Sequence, residues 1–290
     1  MQRCLLLFAF ALAACTPRHT AERLILNDTV IRSADIPFGA DVRQQLDVYR
    51  ARRTRKPAPV IVFIYGGRWK YSTKHDYLLV GNALARDGYV SVVPNYRLYP
   101  TVRYPAWVED GAQAIRWTRD HIAEFGGDPA QIFVVGHSSG AHTVTMLALD
   151  THFLRDAGVP VNGFNGVRGF VSLAGPVDTT WTAPDVQELM GPSSGWPATY
   201  PYNFMSAVSP PLLLLHGTSD DVVSVGNSTR LAARIRAAGG CAQSRVHHGI
   251  DHVGIALAFA LPGLDIAPVM RDVATFIRDP RGTACPITER

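Results

Sequence analysis

The chain has 290 residues, 28 Lys and Arg against 24 Asp and Glu, a formal net charge of +4 and 47% hydrophobic residues. That is enough for one large domain with a real core, and no composition break, repeat or low-complexity run points to a second. The only basic cluster, Arg50-Ala51-Arg52-Arg53-Thr54-Arg55-Lys56, lies between a strand-like run and Pro57. It reads as a solvated loop, so no nucleic-acid partner is expected.

In chain order, Met1-Gln2-Arg3 supplies one positive charge, and residues 5–14 form an apolar run too short to span a bilayer. Small residues then lead into Cys15. The pattern is that of a secretory signal over residues 1–14. Its end, Leu12-Ala13-Ala14-Cys15, resembles the lipobox of bacterial lipoproteins. The resemblance implies that Cys15 carries lipid and that the body of the protein hangs from a membrane by acyl chains. It also implies a polar tether over residues 15–34. Thr16 after the cysteine leans toward the outer membrane, facing the periplasm. A plain cleaved signal that ends in cysteine is the alternative.

Apolar runs recur beyond the tether. Residues 45–49 read as an early antiparallel strand. Residues 60–65, 89–94, 131–135, 167–173 and 211–216 read as buried parallel strands, with 244–248 a weaker last one. Helical stretches fall between them at 76–87, 106–125, 139–149, 227–238 and 266–278. Gly88, Gly126-Gly127 and Gly239-Gly240 sit where helix C-caps belong. Strand–helix alternation implies an α/β fold: a mostly parallel central sheet covered by helices on both faces. Residues 177–208 are rich in Pro, Gly, Ser and aromatics and show no period. They read as a short cap insertion that helps to roof the C-terminal edge of the sheet. Its Trp181, Trp196, Tyr200, Tyr202 and Phe204 either line a pocket or pack.

Cys4 leaves with the signal, so Cys241 and Cys285 remain. In an oxidising compartment two such cysteines are expected to pair, tying the C-terminal tail to the last part of the sheet; free buried thiols are the alternative. No cysteine spacing suits a structural metal, and neither metal nor cofactor is expected.

The segment Ile132-Phe133-Val134-Val135-Gly136-His137-Ser138-Ser139-Gly140 is an apolar strand that runs straight into Gly-x-Ser-x-Gly, with a helical stretch behind it. This is the context of a nucleophile elbow, whose tight turn admits only small residues on either side of the serine. Ser138 is the candidate nucleophile. A serine hydroxyl needs a base, and the base needs a carboxylate to hold its tautomer. Asp220 follows the strand end His216-Gly217 and is the expected acid, with Asp221 beside it as the alternative; Asp178 comes one strand too early. His252, in the loop after the last strand, is the expected base. His247 and His248 lie within a strand, and His137, His142 and His216 read as packed or hydrogen-bonding residues. The backbone amides of Gly67, Arg68 and Ser139 are the expected oxyanion donors.

The elbow, Gly66-Gly67-Arg68-Trp69, Asn95-Tyr96-Arg97-Leu98-Tyr99-Pro100 and His216-Gly217-Thr218-Ser219-Asp220 together resemble the α/β-hydrolase superfamily. More narrowly they resemble carboxylesterases related to hormone-sensitive lipase and to bacterial feruloyl and acetyl esterases. The resemblance runs over about residues 35–280 and implies one α/β-hydrolase domain from residue 35 to residue 290. It implies a Ser-His-Asp triad, an acyl-enzyme intermediate and a small-molecule ester substrate. Tyr65 stands where such enzymes have a histidine that supports the loop. The Arg68 side chain is expected either to meet a substrate carboxylate or to face solvent. Gly-Gly-x-Trp loops also occur in formamidases, so an arylformamidase or amidase is a second reading. A non-catalytic envelope protein that only binds a ligand is the third.

Overall fold

The computed structural model describes residues 29–53, 57–161, 167–207, 209–282 and 285. The signal at 1–14, Cys15 and the tether up to residue 28 lie outside the described residues. Among the described residues no helix is long and apolar enough to cross a membrane.

Eight strands form one sheet in the order β1-β2-β4-β3-β5-β6-β7-β8. β1 (Val30–Pro37) and β2 (Gln45–Ala51) pair antiparallel, and β2 also runs antiparallel to β4. β3 (Ala58–Ile64), β4 (Val90–Pro94), β5 (Gly127–His137), β6 (Val167–Leu173), β7 (Leu212–Gly217) and β8 (Ala242–His247) are parallel. Every residue from Val60 to Ile64 is buried, as is every residue from Leu212 to Leu215. A sheet covered on both sides needs such unbroken apolar runs rather than alternation.

The helices are α1 (Leu78–Arg86), α2 (Ala106–His121), α3 (Ser139–Leu149), α4 (His152–Asp156), α5 (Pro184–Met190), α6 (Gly226–Ala237), α7 (His252–Ala260) and α8 (Val269–Arg278). α2 packs on α3, while α7 packs against both α1 and α8. Gly88, Gly126 and Gly239 follow their helices with positive φ, which spares the Cβ clash of a left-handed terminus. Gly127 instead opens β5.

Two expectations need correction. The sheet takes in residues 30–34, which fall within the tether expected from the sequence. β1 is a half-exposed edge strand whose alternation is broken by a bulge between Ser33 and Ile36, with Asp35 at φ 57°. What holds it is polar. Lys74, 1% exposed, donates to Asp47 Oδ1 at 2.7 Å and to the Asp35 carboxylate. Arg32 donates to Asp47 Oδ2 at 2.9 Å, and the Asp35 amide to Asp47 Oδ1 at 3.0 Å. Second, His252 opens a helix instead of sitting in a loop.

Cys241, just ahead of β8, is disulfide-bonded to Cys285, 44 residues on, with Cα atoms 5.1 Å apart. The tail is thereby tied to the edge of the sheet.

Removing one partner of a buried ion pair costs about 3–5 kcal/mol where the other charge is stranded, and less where a second cation remains, as Arg32 does beside Asp47. Lys74→Met should therefore lower the unfolding free energy by roughly 2–3 kcal/mol in a urea titration, short of the cost of a stranded charge. A loss below about 1 kcal/mol would mean that Arg32 and the Tyr49 hydroxyl compensate the Asp47 carboxylate without Lys74.

Candidate active site

β5 ends at His137, Ser138 turns the chain, and α3 begins at Ser139. Ser138 has φ 54° and ψ −120°, a strained conformation for a residue with a side chain. The flanking glycines are there for space. A Cβ at Gly140 would lie 2.1 Å from the Ile64 carbonyl oxygen, and one at Gly136 2.4 Å from the Gly140 carbonyl oxygen. A Cβ at Gly66 would come within 3.0 Å of the Ser138 Cβ, so the loop after β3 lies directly against the elbow. The Ser138 amide donates to the Leu173 carbonyl at 2.9 Å, fixing the turn to β6.

Ser138, His252 and Asp220 are brought together from three separate parts of the chain. The Ser138 hydroxyl donates to His252 Nε2 at 2.9 Å, and His252 Nδ1–H donates to Asp220 Oδ2 at 2.8 Å. Asp220 Oδ1 accepts the amides of Val222 and Val223 at 3.0 and 2.8 Å. Burial raises the pKa of the Asp220 carboxyl, but the Val223 amide and the His252 imidazole outweigh it, and the group stays below its ordinary value. Asp221 is exposed and Asp178 is held by Arg230 and Arg234, so neither meets His252. His247, the last residue of β8, is buried near Asp272, and His248 is exposed in the turn that follows.

The other histidines support this relay. His216 Nε2–H donates to the Val223 carbonyl at 2.8 Å, and its Nδ1 accepts from the Ser228 hydroxyl at 2.8 Å, bracing the acid loop. His137 Nε2–H donates to the His252 carbonyl at 2.9 Å, tying His252 to the residue before Ser138. His142 Nε2–H donates to the Thr199 carbonyl at 2.8 Å, tying α3 to the cap. Burial pushes both His137 and His142 down to about 4, so both are neutral in ordinary buffer.

The loop after β3 turns through positive φ at Gly67 (130°), Arg68 (54°) and Trp69 (57°). The Gly67 carbonyl accepts the amides of Lys70 and Tyr71 at 3.0 and 2.9 Å. Among the described residues the amides of Gly67 and Arg68 have no hydrogen-bond acceptor. The Ser139 amide is a first-turn donor of α3, which no intrahelical carbonyl can satisfy. The Arg68 side chain is about half exposed, as one of the two expectations has it, and it also meets a carboxylate of this chain. Its guanidinium binds Asp185 of α5 through both carboxylate oxygens at 2.7 Å.

Residues 177–207 pack against the loop after β3 and against α3 through Trp181, Thr199 and His142. Trp181 and Tyr200 are buried and pack, while Trp196, Tyr202 and Phe204 are partly exposed. Among the described residues no group of three or more His, Cys, Asp or Glu is placed to hold a metal ion.

The BD-FAE family model matches residues 46–235. The chain belongs to the BD-FAE family. It is 30% identical over 248 residues to "Esterase LipQ" of Mycobacterium tuberculosis (strain ATCC 25618 / H37Rv), covering 76% of this chain and 58% of that protein. It is 26% identical over 256 residues to "Isoprenylcysteine alpha-carbonyl methylesterase ICME" of Arabidopsis thaliana, covering 79% of this chain and 58% of that protein. The chain thus spans under two thirds of the length of these relatives. Among solved structures, a "Truncated form of carbohydrate esterase from gut microbiota" superposes with a TM-score of 0.73 at 23% identity, covering 88% of this chain and 98% of that one. The fold is therefore an α/β-hydrolase fold, as the strand and elbow pattern suggests.

The two buried histidines set a pH dependence of stability. Unfolded, each takes a proton near 6.5; folded, each resists until about 4. The unfolded chain thus binds more protons between these limits, and stability falls as pH drops through that window. Between pH 7 and pH 4.5 the wild-type loss should exceed that of His142→Gln by roughly 2 kcal/mol in urea titrations. Equal losses would mean that His142 is solvated in the folded state.

Proposed function

We propose that the chain is a serine carboxylic-ester hydrolase. The reading rests on one observation, the unbroken relay from the Ser138 hydroxyl through the His252 imidazole to the Asp220 carboxylate. The strained elbow, the free amides beside it and the names of the relatives support it. Ser138 Oγ attacks the ester carbonyl carbon while His252 Nε2 takes its proton. Asp220 keeps the other ring nitrogen protonated and stabilises the imidazolium. The carbonyl oxygen becomes an oxyanion that accepts hydrogen bonds from the amides of Gly67, Arg68 and Ser139. Collapse of the intermediate expels the alcohol, which takes the proton from His252 and leaves an acyl-enzyme. Water, deprotonated by His252, then releases the acid and restores Ser138. No step uses a metal or cofactor.

A small-molecule ester is the substrate class. Lipidation at Cys15, removal of residues 1–14 and an envelope position complete the reading: the catalytic domain works at a membrane surface, tethered through its N terminus. The lipobox-like Leu12-Ala13-Ala14-Cys15 supports this part.

Ser138→Ala should lower hydrolysis of p-nitrophenyl acetate by about a millionfold, to the level of the oxyanion donors alone. Equal rates for wild type and variant would end the proposal. A matched formamide cleaved faster than the ester would favour the amidase reading.

A further inference from the structure

We propose that Arg43 is a positioning residue for the oxyanion donors, an inference that rests on the esterase reading above. Arg43 lies between β1 and β2, ahead of the 46–235 stretch matched to the family, and touches none of Ser138, His252 or Asp220.

Between Tyr65 and Ser72 the chain is strained: Gly67, Arg68, Trp69 and Ser72 all stand at positive φ. Three of these residues carry side chains, and such conformations persist only where the surroundings over-determine them. The restraints converge on one guanidinium. Arg43 Nη2 donates to the Tyr65 hydroxyl at 3.2 Å and to the Ser72 carbonyl at 3.1 Å, the first and last residues of the loop. Arg43 Nε donates to the Tyr96 carbonyl at 2.9 Å. The same Tyr96 donates its hydroxyl to the Tyr65 carbonyl at 3.0 Å and stacks on the Tyr65 ring at 4.7 Å. Tyr65 in turn donates to Asn95 Oδ1 at 2.9 Å, and that oxygen also accepts the Lys74 amide at 2.7 Å.

Burial pushes the Tyr65 phenol up, so the hydroxyl stays protonated and both donates and accepts. Arg43 is therefore a clasp across the two ends of the loop that carries the Gly67 and Arg68 amides. Its planar fork suits three acceptors set in different directions; a lysine ammonium on a flexible stem does not. A misplacement of about 1 Å at a reacting centre can cost on the order of a hundredfold. Loss of the clasp should thus act on the chemical step and leave substrate binding nearly intact.

The test is p-nitrophenyl acetate kinetics on the full chain, with active sites counted by a fluorophosphonate, for wild type, Arg43→Met, Arg43→Lys, Tyr65→Phe and the double variant Arg43→Met with Tyr65→Phe. The expected result is a kcat per titrated site lowered about 10- to 100-fold in Arg43→Met, with KM within about threefold. Arg43→Lys should recover only part of the loss. Tyr65→Phe should lower kcat alone but add little on top of Arg43→Met, since both break one clasp. A titrated kcat for either Arg43 variant equal to wild type would overturn the proposal, as would a rise in KM with kcat unchanged. Hydrogen–deuterium exchange at residues 65–72 reads the same clasp without activity, and it should quicken in both Arg43 variants. A wild type that cleaves no ester and leaves Ser138 unlabelled would end the esterase reading. Exchange in the 65–72 loop unchanged by Arg43→Met would instead end the clasp.

Discussion

Three backbones meet where no side chain fits. The end of β3, the elbow at Ser138 and the first turn of α3 approach so closely that a single Cβ on Gly140 would sit 2.1 Å from the Ile64 carbonyl oxygen. That approach forces Ser138 out of ordinary φ/ψ space and lifts its hydroxyl clear of the sheet. It also brings Gly66, and with it the Gly67 and Arg68 amides, against Ser138. The parallel sheet is what supplies the stiffness. β5 is flanked by β3 and β6 from Ile132 to Gly136, so the strained turn rests on paired strands.

Around that point burial acts in opposite directions on neighbouring groups. Asp220 is deeply placed, and desolvation alone would favour its protonated form. Two backbone amides and the His252 N–H win that contest and keep it ionised. His137 and His142 go the other way, since burial wins and both stay neutral. A neutral His137 donates its single proton to the His252 carbonyl and puts no second positive charge beside that imidazole. Three histidines within one site therefore differ in role because their surroundings differ.

The sequence is most readable where one requirement dominates. Fully buried parallel strands must be unbroken apolar runs, so 167–173 matches β6 to the residue, and the same holds for 139–149 and α3. The elbow carries its own spacing signature. α7 escapes because it is apolar nearly all round and so has no period. β1 escapes because its bulge breaks the alternation and its anchors, Asp47 and Lys74, are distant in the chain. Ser138, Asp220 and His252 are readable from chain order and strand ends. The partners of Arg68 and Arg43 are not, because Asp185 and Tyr65 are matched to them only by the folded path of the chain.

The cap over residues 177–207 raises a question of which contacts hold it. The Arg68–Asp185 pair is the most visible, but both side chains are more than two fifths exposed. Exposed pairs of this kind contribute about 0–1 kcal/mol and weaken with salt. The buried contacts are heavier. Trp181 meets Trp69 and His142 edge-on, with centroids 5.9 and 5.4 Å apart, and tilts against Tyr200 at 5.7 Å. Its indole N–H donates to the Thr199 hydroxyl at 2.6 Å, and the Thr199 carbonyl accepts from His142. Burying one large aromatic stabilises by about 2–3 kcal/mol before any of these bonds is counted. Trp69 belongs to the loop after β3 and His142 to the elbow helix, so the roof is packed into the elements that carry the site. Raising the ionic strength would loosen the rim pair and leave that packing in place. The cap is therefore held in place by buried aromatic packing, with the ion pair at its rim a minor addition.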